Sequence, residues 1–297
     1  MNDFFLSTDS TADLFADEIE RLNCGFLPLT ITIEKDGKTS FLKDNFKTEQ
    51  EYLDFYELLK DRNAKVYTSK NNTEIHKEYF ESLIKAGHKN VLHFTISYGL
   101  ANTMDNAYEA AEMLKKTYPD FNLKVVESHT TTVGQGILVR MAAKLRDEGA
   151  TMEKAFSVVE DVKHRIQHFV VVSDLDHLKR GGRVSGAAAA IGTMLNLRIV
   201  ISFDREGRLK VVKKVIGKIK CLKSIINDAA EFTLDKPDAY PIVVHTGNER
   251  FAEEIARKFE EKFGLKPEIR LMGPTIACHV GPCAAAFVFV SKEQRPQ

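Results

Sequence analysis

Apolar and polar positions follow one another in the same order at four places in the first half of the chain. At each place an apolar run ends in a cluster of hydroxyl side chains, and a helical pattern of apolar residues follows. The four runs cover residues 4–6, 65–67, 91–96 and 125–126. We interpret them as parallel strands of one sheet with helices on both faces. Because the carboxyl ends of such strands share one edge, the pattern predicts a ligand site there.

Helices are predicted between and after these runs. Thr48 and Glu51 form the signature of a capping box ahead of apolar residues at helical spacing. Asn72 begins a second predicted helix, and two more are expected over about 101–116 and 133–146. Helices that alternate with strands in this way indicate an α/β fold.

The pattern changes after Gly149. Residues 197–203 and 209–215 form the arms of a predicted hairpin around a polar turn. The other predicted elements are helices over about 151–167, 218–232 and 249–263, and strands over 169–172, 242–245, 268–271 and 284–290. We therefore expect a two-domain α/β fold, in which residues 1–160 carry a parallel sheet and residues 161–297 carry a mixed sheet. A ligand cleft is expected between the two domains.

Composition narrows the class of protein. The 297 residues include 42 basic and 42 acidic side chains, so no net charge favours binding to nucleic acid or to an anionic membrane. The chain starts without a charged region ahead of a long apolar stretch, and no apolar run is long enough to span a bilayer. Four cysteines in a chain of this length do not indicate a disulfide framework. These features predict a soluble protein of a reducing compartment.

Two of the hydroxyl clusters are candidates for binding an anion. Thr68 and Ser69 end one predicted strand, and Ser97 ends the next one along the chain. Ser97, with the backbone amides of Tyr98 and Gly99, precedes a helix and is suited to a carboxylate or phosphate oxygen. The alternative is that Ser97 only caps the helix.

Other polar segments have simpler interpretations. Helix capping is favoured for Asp9 over metal ligation or acid–base chemistry. The segment 128–136 lacks the lysine and the spacing of a Walker A sequence. The basic segment 179–183 has two glycines and three cations. This composition is compatible with a contact to an anion or a partner, and equally with a solvated turn. RNA binding is disfavoured because no aromatic stripe accompanies these cations.

The segment 273–283 has two Gly-Pro pairs around His279, and it is predicted to be a rigid loop that presents the imidazole. The functional interpretations of this side chain are proton handling and contact with an anion. The structural alternative is a packed loop in which the histidine is only hydrogen-bonded. Metal ligation by Cys278, His279 and Cys283 is disfavoured by their spacing and by the lack of a fourth ligand.

In their order along the chain, these segments resemble the DegV family, bacterial fatty-acid-binding proteins that act as acyl-carrier subunits of a fatty acid kinase. The resemblance extends over nearly the whole chain. It is carried by residues 8–14, Thr68-Ser69, Ile96-Ser97 to Thr103, Gly134-Gln135-Gly136, residues 178–185, Gly217-Lys218-Ile219-Lys220 and His279-Val280-Gly281-Pro282.

The resemblance implies how a fatty acid would be bound. Thr68 and Ser97 would hold the carboxylate, with help from the amides near Tyr98 and Gly99. The acyl tail would lie in an apolar tunnel between the domains, covered by the C-terminal one. Here Tyr98 stands where the family usually has a second serine, a change that either reshapes the head-group pocket or removes one hydroxyl contact.

The resemblance also implies a rim that engages the kinase or the acyl-phosphate. Arg183, Lys218 and His279 match the family's positions for this role. Lys218 replaces the usual arginine, so it keeps the charge and loses the bidentate geometry. Cys283 stands where the family usually has glycine.

The implied function is a cytoplasmic carrier with no catalysis of its own, no metal and no cofactor other than the bound long-chain fatty acid. Its partner would be a separate fatty acid kinase. The alternative is a serine hydrolase that uses Ser97 as nucleophile, His279 as base and an acid such as Asp9, although the usual nucleophile-elbow sequence is absent. A third hypothesis is a nucleic-acid or protein-interaction module that uses residues 179–183.

Overall fold

A parallel sheet of order β2-β1-β6-β7 forms the first layer of the computed structural model, which describes residues 4–173, 175–183 and 196–296. Its strands are β1 (Phe5–Asp9), β2 (Cys24–Leu27), β6 (Asn90–Thr95) and β7 (Asn122–Glu127). Side chains alternate between the two faces of this sheet, and both faces are covered. The covering helices are α3 (Thr73–Lys85) and α4 (Thr103–Lys115) on one face, and α5 (Val133–Asp147) and α6 (Met152–Val162) on the other.

The predicted helix starts are confirmed. Thr48 caps α2 (Glu49–Lys60) in a capping box with Glu51. The Asn72 side chain accepts a hydrogen bond of 2.9 Å from the amide of Ile75 and so caps α3. Capping works here because the first amides of a helix have no partner within it.

The second of the four apolar runs is not part of the parallel sheet, which corrects the sequence-based prediction. It forms β5 (Lys65–Ser69), which pairs antiparallel with β3 (Thr30–Lys35), and β3 also pairs with β4 (Lys38–Lys43). An apolar run defines a strand but not its neighbour, and only the folded chain selects the pairing partner. The helix α2 packs against this three-stranded sheet through Tyr56 and Ile31.

A mixed sheet of order β10-β9-β8-β13-β11-β12 forms the second layer. Its strands are β8 (Ile166–Val172), β9 (Leu197–Phe203), β10 (Leu209–Ile216), β11 (Ile242–His245), β12 (Glu268–Leu271) and β13 (Ala285–Val290). One face packs against α8 (Lys218–Ala229) and α9 (Glu249–Phe263). The predicted α/β class, with a parallel and a mixed sheet, is confirmed; the proposed boundary near residue 160 stays a prediction.

The segment 273–283 contains a helix, where the sequence predicted a rigid loop. α10 runs from Pro274 to Val280, with proline in its first turn, where no amide hydrogen is needed. His279 therefore lies in the last turn of a helix. The remaining short elements are α1 (Ala16–Arg21), α7 (Asp176–Gly181) and two 3-10 turns, Ser10–Ala12 and Lys163–Arg165. Within the described ranges, every helix is too short or too polar to cross a membrane.

Candidate ligand-binding site

A cavity of about 420 Å³ lies between the two layers. The mixed sheet forms one wall through Val170, Ile201, Phe203 and Ala286, which share a face because alternate side chains of a strand point the same way. The opposite face of the same sheet packs on α8 and α9. The cavity volume falls in the range of small-molecule sites, and its lining is mostly apolar.

The other walls bring polar groups to the cavity. Thr11, Thr131 and Thr132 come from the loops after β1 and β7, at the carboxyl edge of the parallel sheet. Ile96 follows β6 at the same edge, and Lys70 follows β5. The hydroxyls of Thr11 and Thr132 are bonded to Gln135 and Asp13, so they are held in place by the protein.

Thr68, Arg183 and His279 form a polar cluster in the cavity wall, and we call these three side chains the head-group cluster. The Oγ1 of Thr68 lies 2.9 Å from Nε2 of His279, within hydrogen-bond distance. Burial, followed by the positive charges of Arg183 and His177, lowers the pKa of His279 to about 4. At neutral pH the imidazole is uncharged, and Arg183 supplies the positive charge of the cluster.

Gly181 allows His279 its position. A Cβ atom at residue 181 would lie 2.4 Å from Nδ1 of His279. The next residue, Gly182, has a φ of 68° and ends α7 in the left-handed conformation. The two glycines therefore serve a close approach to His279 and the end of α7.

Ser97, Tyr98 and Gly99 lie beside the cavity rather than in its described lining. The buried Ser97 hydroxyl donates a hydrogen bond of 2.7 Å to the carbonyl of Gly207, in the β9–β10 turn. The Tyr98 amide donates to Glu127, and the residue is 49% exposed. The Gly99 amide is 3.3 Å from Ser97 Oγ. Their role in carboxylate binding stays a prediction.

Lys218 is separate from the head-group cluster. Its ammonium group lies 3.0 Å from a carboxylate oxygen of Glu254 and 5.1 Å from the ring centre of Phe251. A kinase contact through Lys218 remains a prediction. Lys70 was missed as a cavity residue, although its place directly after Thr68-Ser69 was the available signal.

The three groups of the hydrolase hypothesis are each engaged elsewhere. Asp9 accepts hydrogen bonds of 3.0 Å from the amide of Thr11 and from the side chain of Gln135, which confirms its interpretation as a cap. Ser97 is bonded to Gly207, and His279 is paired with Thr68. No hydrogen bond joins these three described residues to one another in a relay.

The basic segment 179–183 contributes one residue, Arg183, to the cavity. Its Nε donates a hydrogen bond of 3.2 Å to the carbonyl of Leu100. Val184 and Ser185, which also carry the resemblance, lie outside the described residues. Over the part of the chain that the structure describes, no group of three or more potential ligands could hold a metal ion.

The family is decided by comparison with known proteins. A family model described as "Uncharacterised protein, DegV family" matches residues 4–292. The chain belongs to the DegV family. A DegV domain-containing protein of Lactococcus lactis is 33% identical over 299 residues, with 98% of this chain and 99% of that protein covered.

Two solved DegV structures share the fold. A fatty acid binding DegV family protein from Streptococcus agalactiae is 28% identical, with a TM-score of 0.81 over 99% of this chain and 100% of that chain. A DegV family protein from Thermus thermophilus, whose structure is described as showing fatty acid binding, is 25% identical. Its TM-score is 0.80 over 97% of this chain and 99% of that chain.

Proposed function

We propose that this DegV-family chain binds one long-chain fatty acid in the cavity between its two layers and presents it to a separate fatty acid kinase. The observation that carries the proposal is a mostly apolar cavity of about 420 Å³ with the head-group cluster in its wall. The solved relative from Streptococcus agalactiae, described as fatty acid binding, supports the same ligand class.

The acyl tail would supply most of the affinity. Burial of one CH2 group contributes about 0.8 kcal/mol, so roughly fifteen methylenes would contribute on the order of 12 kcal/mol. Part of this offsets the loss of translational and chain freedom on binding. The head-group contacts would then orient the acid, since the tail alone carries little directional information.

Thr68 and His279 are suited to hold the carboxylate beside the charge of Arg183. The Thr68 hydroxyl can turn from His279 toward a ligand oxygen, since it has one hydrogen to donate. A carboxylate beside His279 would favour the protonated imidazole and raise its pKa from about 4. Ser97 and the amides of Tyr98 and Gly99 are proposed to join this site through a local rearrangement.

The chain would act as a carrier in the cytoplasm, and the kinase would perform phosphoryl transfer. Arg183, Lys218 and His279 are proposed to face the kinase or the acyl-phosphate. A carrier is needed because a free long-chain acid is sparingly soluble, and the cavity removes its tail from water.

Native mass spectrometry of the gently purified protein tests this proposal. We expect an added mass that matches a long-chain fatty acid, and loss of that mass on denaturation. Delipidated protein should then bind palmitate or oleate in titration calorimetry. A protein that purifies empty and ignores both acids would refute the proposal.

A further inference from the structure

Lys70 adds a second positive charge to the wall of the cavity. It follows Thr68 and Ser69 directly in the chain, and it lines the cavity together with Arg183 of the head-group cluster. Its ammonium group donates a hydrogen bond to the side-chain oxygen of Asn102. The residue is exposed, so this part of the cavity wall is open to water.

The two cations are anchored to one short loop. Arg183 Nε donates a hydrogen bond of 3.2 Å to the carbonyl of Leu100, and Lys70 is bonded to Asn102, two residues further along. Two residues of chain span at most about 7 Å, so the two anchoring points lie close together. Leu100 also lines the cavity. Both cations therefore belong to the same part of the cavity wall.

The positive charges of Lys70 and Arg183 are not balanced by a carboxylate in the described cavity lining, which contains no aspartate or glutamate. Their hydrogen-bond acceptors are an amide side chain and backbone carbonyls, which are all neutral. Asp105 and Glu127 lie beside the same loop, but they accept hydrogen bonds from Tyr98 and do not line the cavity. The site therefore offers two positive charges to an anionic ligand.

The charge of the ligand decides how well it balances this site. His279 is uncharged at neutral pH, because its pKa is lowered to about 4 by burial. A fatty acid brings one negative charge and leaves one cation unbalanced, whereas a head group with two negative charges balances both. The Lys70 ammonium group has three hydrogens and gives one to Asn102, so it has donors left for a ligand on its flexible side chain.

We propose that Lys70 is a specificity-determining residue, through which the cavity favours a long chain whose head group carries two negative charges over one that carries a single charge. A phosphate at the end of the chain is such a head group, since a phosphate ester is mostly dianionic above about pH 7. The proposal rests on the function proposed above, in which the acyl phosphate carries this charge. The protein would then hold the phosphorylated chain more tightly than the free acid.

Hexadecyl phosphate and hexadecyl sulfate test the proposal, because they share a tail and a tetrahedral head group and differ by one charge. At about pH 8 the phosphate is a dianion and the sulfate a monoanion. Displacement of a fluorescent fatty acid from delipidated protein gives both dissociation constants. We expect the phosphate to bind about tenfold tighter, the lower limit for one added hydrogen bond to a charged group. Equal binding, or tighter binding of the sulfate, would overturn the inference.

Substitutions at residue 70 assign the preference to its charge. Lys70→Met keeps the length of the side chain and should lower the ratio of the two dissociation constants about threefold, as expected for one exposed ion pair. Lys70→Arg keeps the charge and should keep the ratio. Lys65→Met is the matched control, since Lys65 is an exposed lysine at the start of β5 outside the described cavity lining. An unchanged ratio in Lys70→Met, or an equal fall in Lys65→Met, would overturn the role of Lys70.

Two sources of a phosphate-bearing chain are distinguished by palmitoyl lysophosphatidic acid, whose phosphate lies beyond a glycerol spacer. Tighter binding of hexadecyl phosphate would support a phosphate attached directly to the chain. Equal or tighter binding of lysophosphatidic acid would assign the site to a phospholipid and overturn the inference.

Palmitate separates this inference from the proposed function. If the original protein binds neither palmitate nor hexadecyl phosphate, the proposed function itself fails. If it binds palmitate but does not distinguish the phosphate from the sulfate, only the present inference fails. Thermal unfolding of the variants at residues 65 and 70 verifies that each is folded, and the ligand comparison on the original protein decides independently of them.

Discussion

Replacement of Thr68 by valine removes a hydroxyl from the head-group cluster while keeping the size and the β-branched shape of the side chain. Thr68 lies near the end of β5, and its Oγ1 is 2.9 Å from Nε2 of His279. The substitution therefore removes one hydrogen bond and leaves the apolar lining of the cavity in place. Strand β5 should tolerate it, because valine favours extended structure.

The expected loss of affinity follows from the charge of the ligand. A hydrogen bond to a charged group contributes about 1.5–3 kcal/mol, which corresponds to about tenfold to a hundredfold in the dissociation constant. Thr68 is only partly buried, which favours the lower half of this range. Stability should fall by about 1 kcal/mol, since His279 loses a partner at the same time.

Isothermal titration with palmitic acid and with the alcohol of the same chain length separates head-group binding from tail binding. Thr68→Val should weaken binding of the acid and change binding of the alcohol much less. Thr39→Val is the matched control, since Thr39 lies on the exposed strand β4 of the same sheet and is not among the described cavity residues. Unchanged affinity of Thr68→Val for the acid, or equal losses for acid and alcohol, would refute the reasoning about the head-group cluster.

Three further predictions concern stability and chemistry. The pKa of His279 is lowered from its ordinary 6.5 to about 4, so the folded state loses up to about 3 kcal/mol as pH falls through this interval, because the unfolded chain binds the proton first. Urea unfolding at a series of acidic pH values should show that the free energy of unfolding of His279→Gln falls less steeply with decreasing pH than that of the original protein. Equal pH dependence of the two proteins would contradict this prediction. Gly181→Ala should lower stability by about 1–3 kcal/mol in thermal unfolding, because the added methyl group displaces His279. Gly37→Ala is the control: the site has open space and a φ of 72°, so the variant should lose only about 1 kcal/mol. Ser97→Ala should lower the free energy of unfolding by about 1 kcal/mol, because it removes the hydrogen bond to Gly207. Its rate of ester hydrolysis should equal the background rate of the original protein. A specific loss of esterase activity in the variant would instead support the hydrolase hypothesis.

The sequence predicted most elements of the fold because their signals are local. Caps at Thr48 and Asn72, and apolar periodicity behind them, define helices whichever way the chain folds. The hairpin of β9 and β10 is also local, since its turn lies between its two arms. The error at 273–283 had a local cause too, because Gly-Pro pairs are compatible both with a turn and with the first residues of a helix.

The candidate site could be predicted only in part. Thr68, Arg183 and His279 line the cavity. In the sequence Thr68 stood out as a hydroxyl at a strand end, Arg183 as a cation next to Gly182, and His279 as a histidine between two Gly-Pro pairs. His168 also lines the cavity but had no such signal, because it lies within a mostly apolar strand and has the pattern of a core residue. Its place in the cavity wall depends on which face of the mixed sheet meets the first layer.

By itself the sequence determined the order of strands and helices, the balance of charge and the hydroxyl-rich ends of the strands. Tertiary structure decided that β5 pairs outside the parallel sheet, that the Ser97 hydroxyl is bonded to Gly207, and that His279 meets Thr68 across 211 residues of chain. The physical reason is the distance along the chain over which each interaction acts. Caps and periodicity act over a few residues, whereas strand pairing and a cavity arise from contacts between segments far apart in the chain, and many such pairings satisfy the same local pattern.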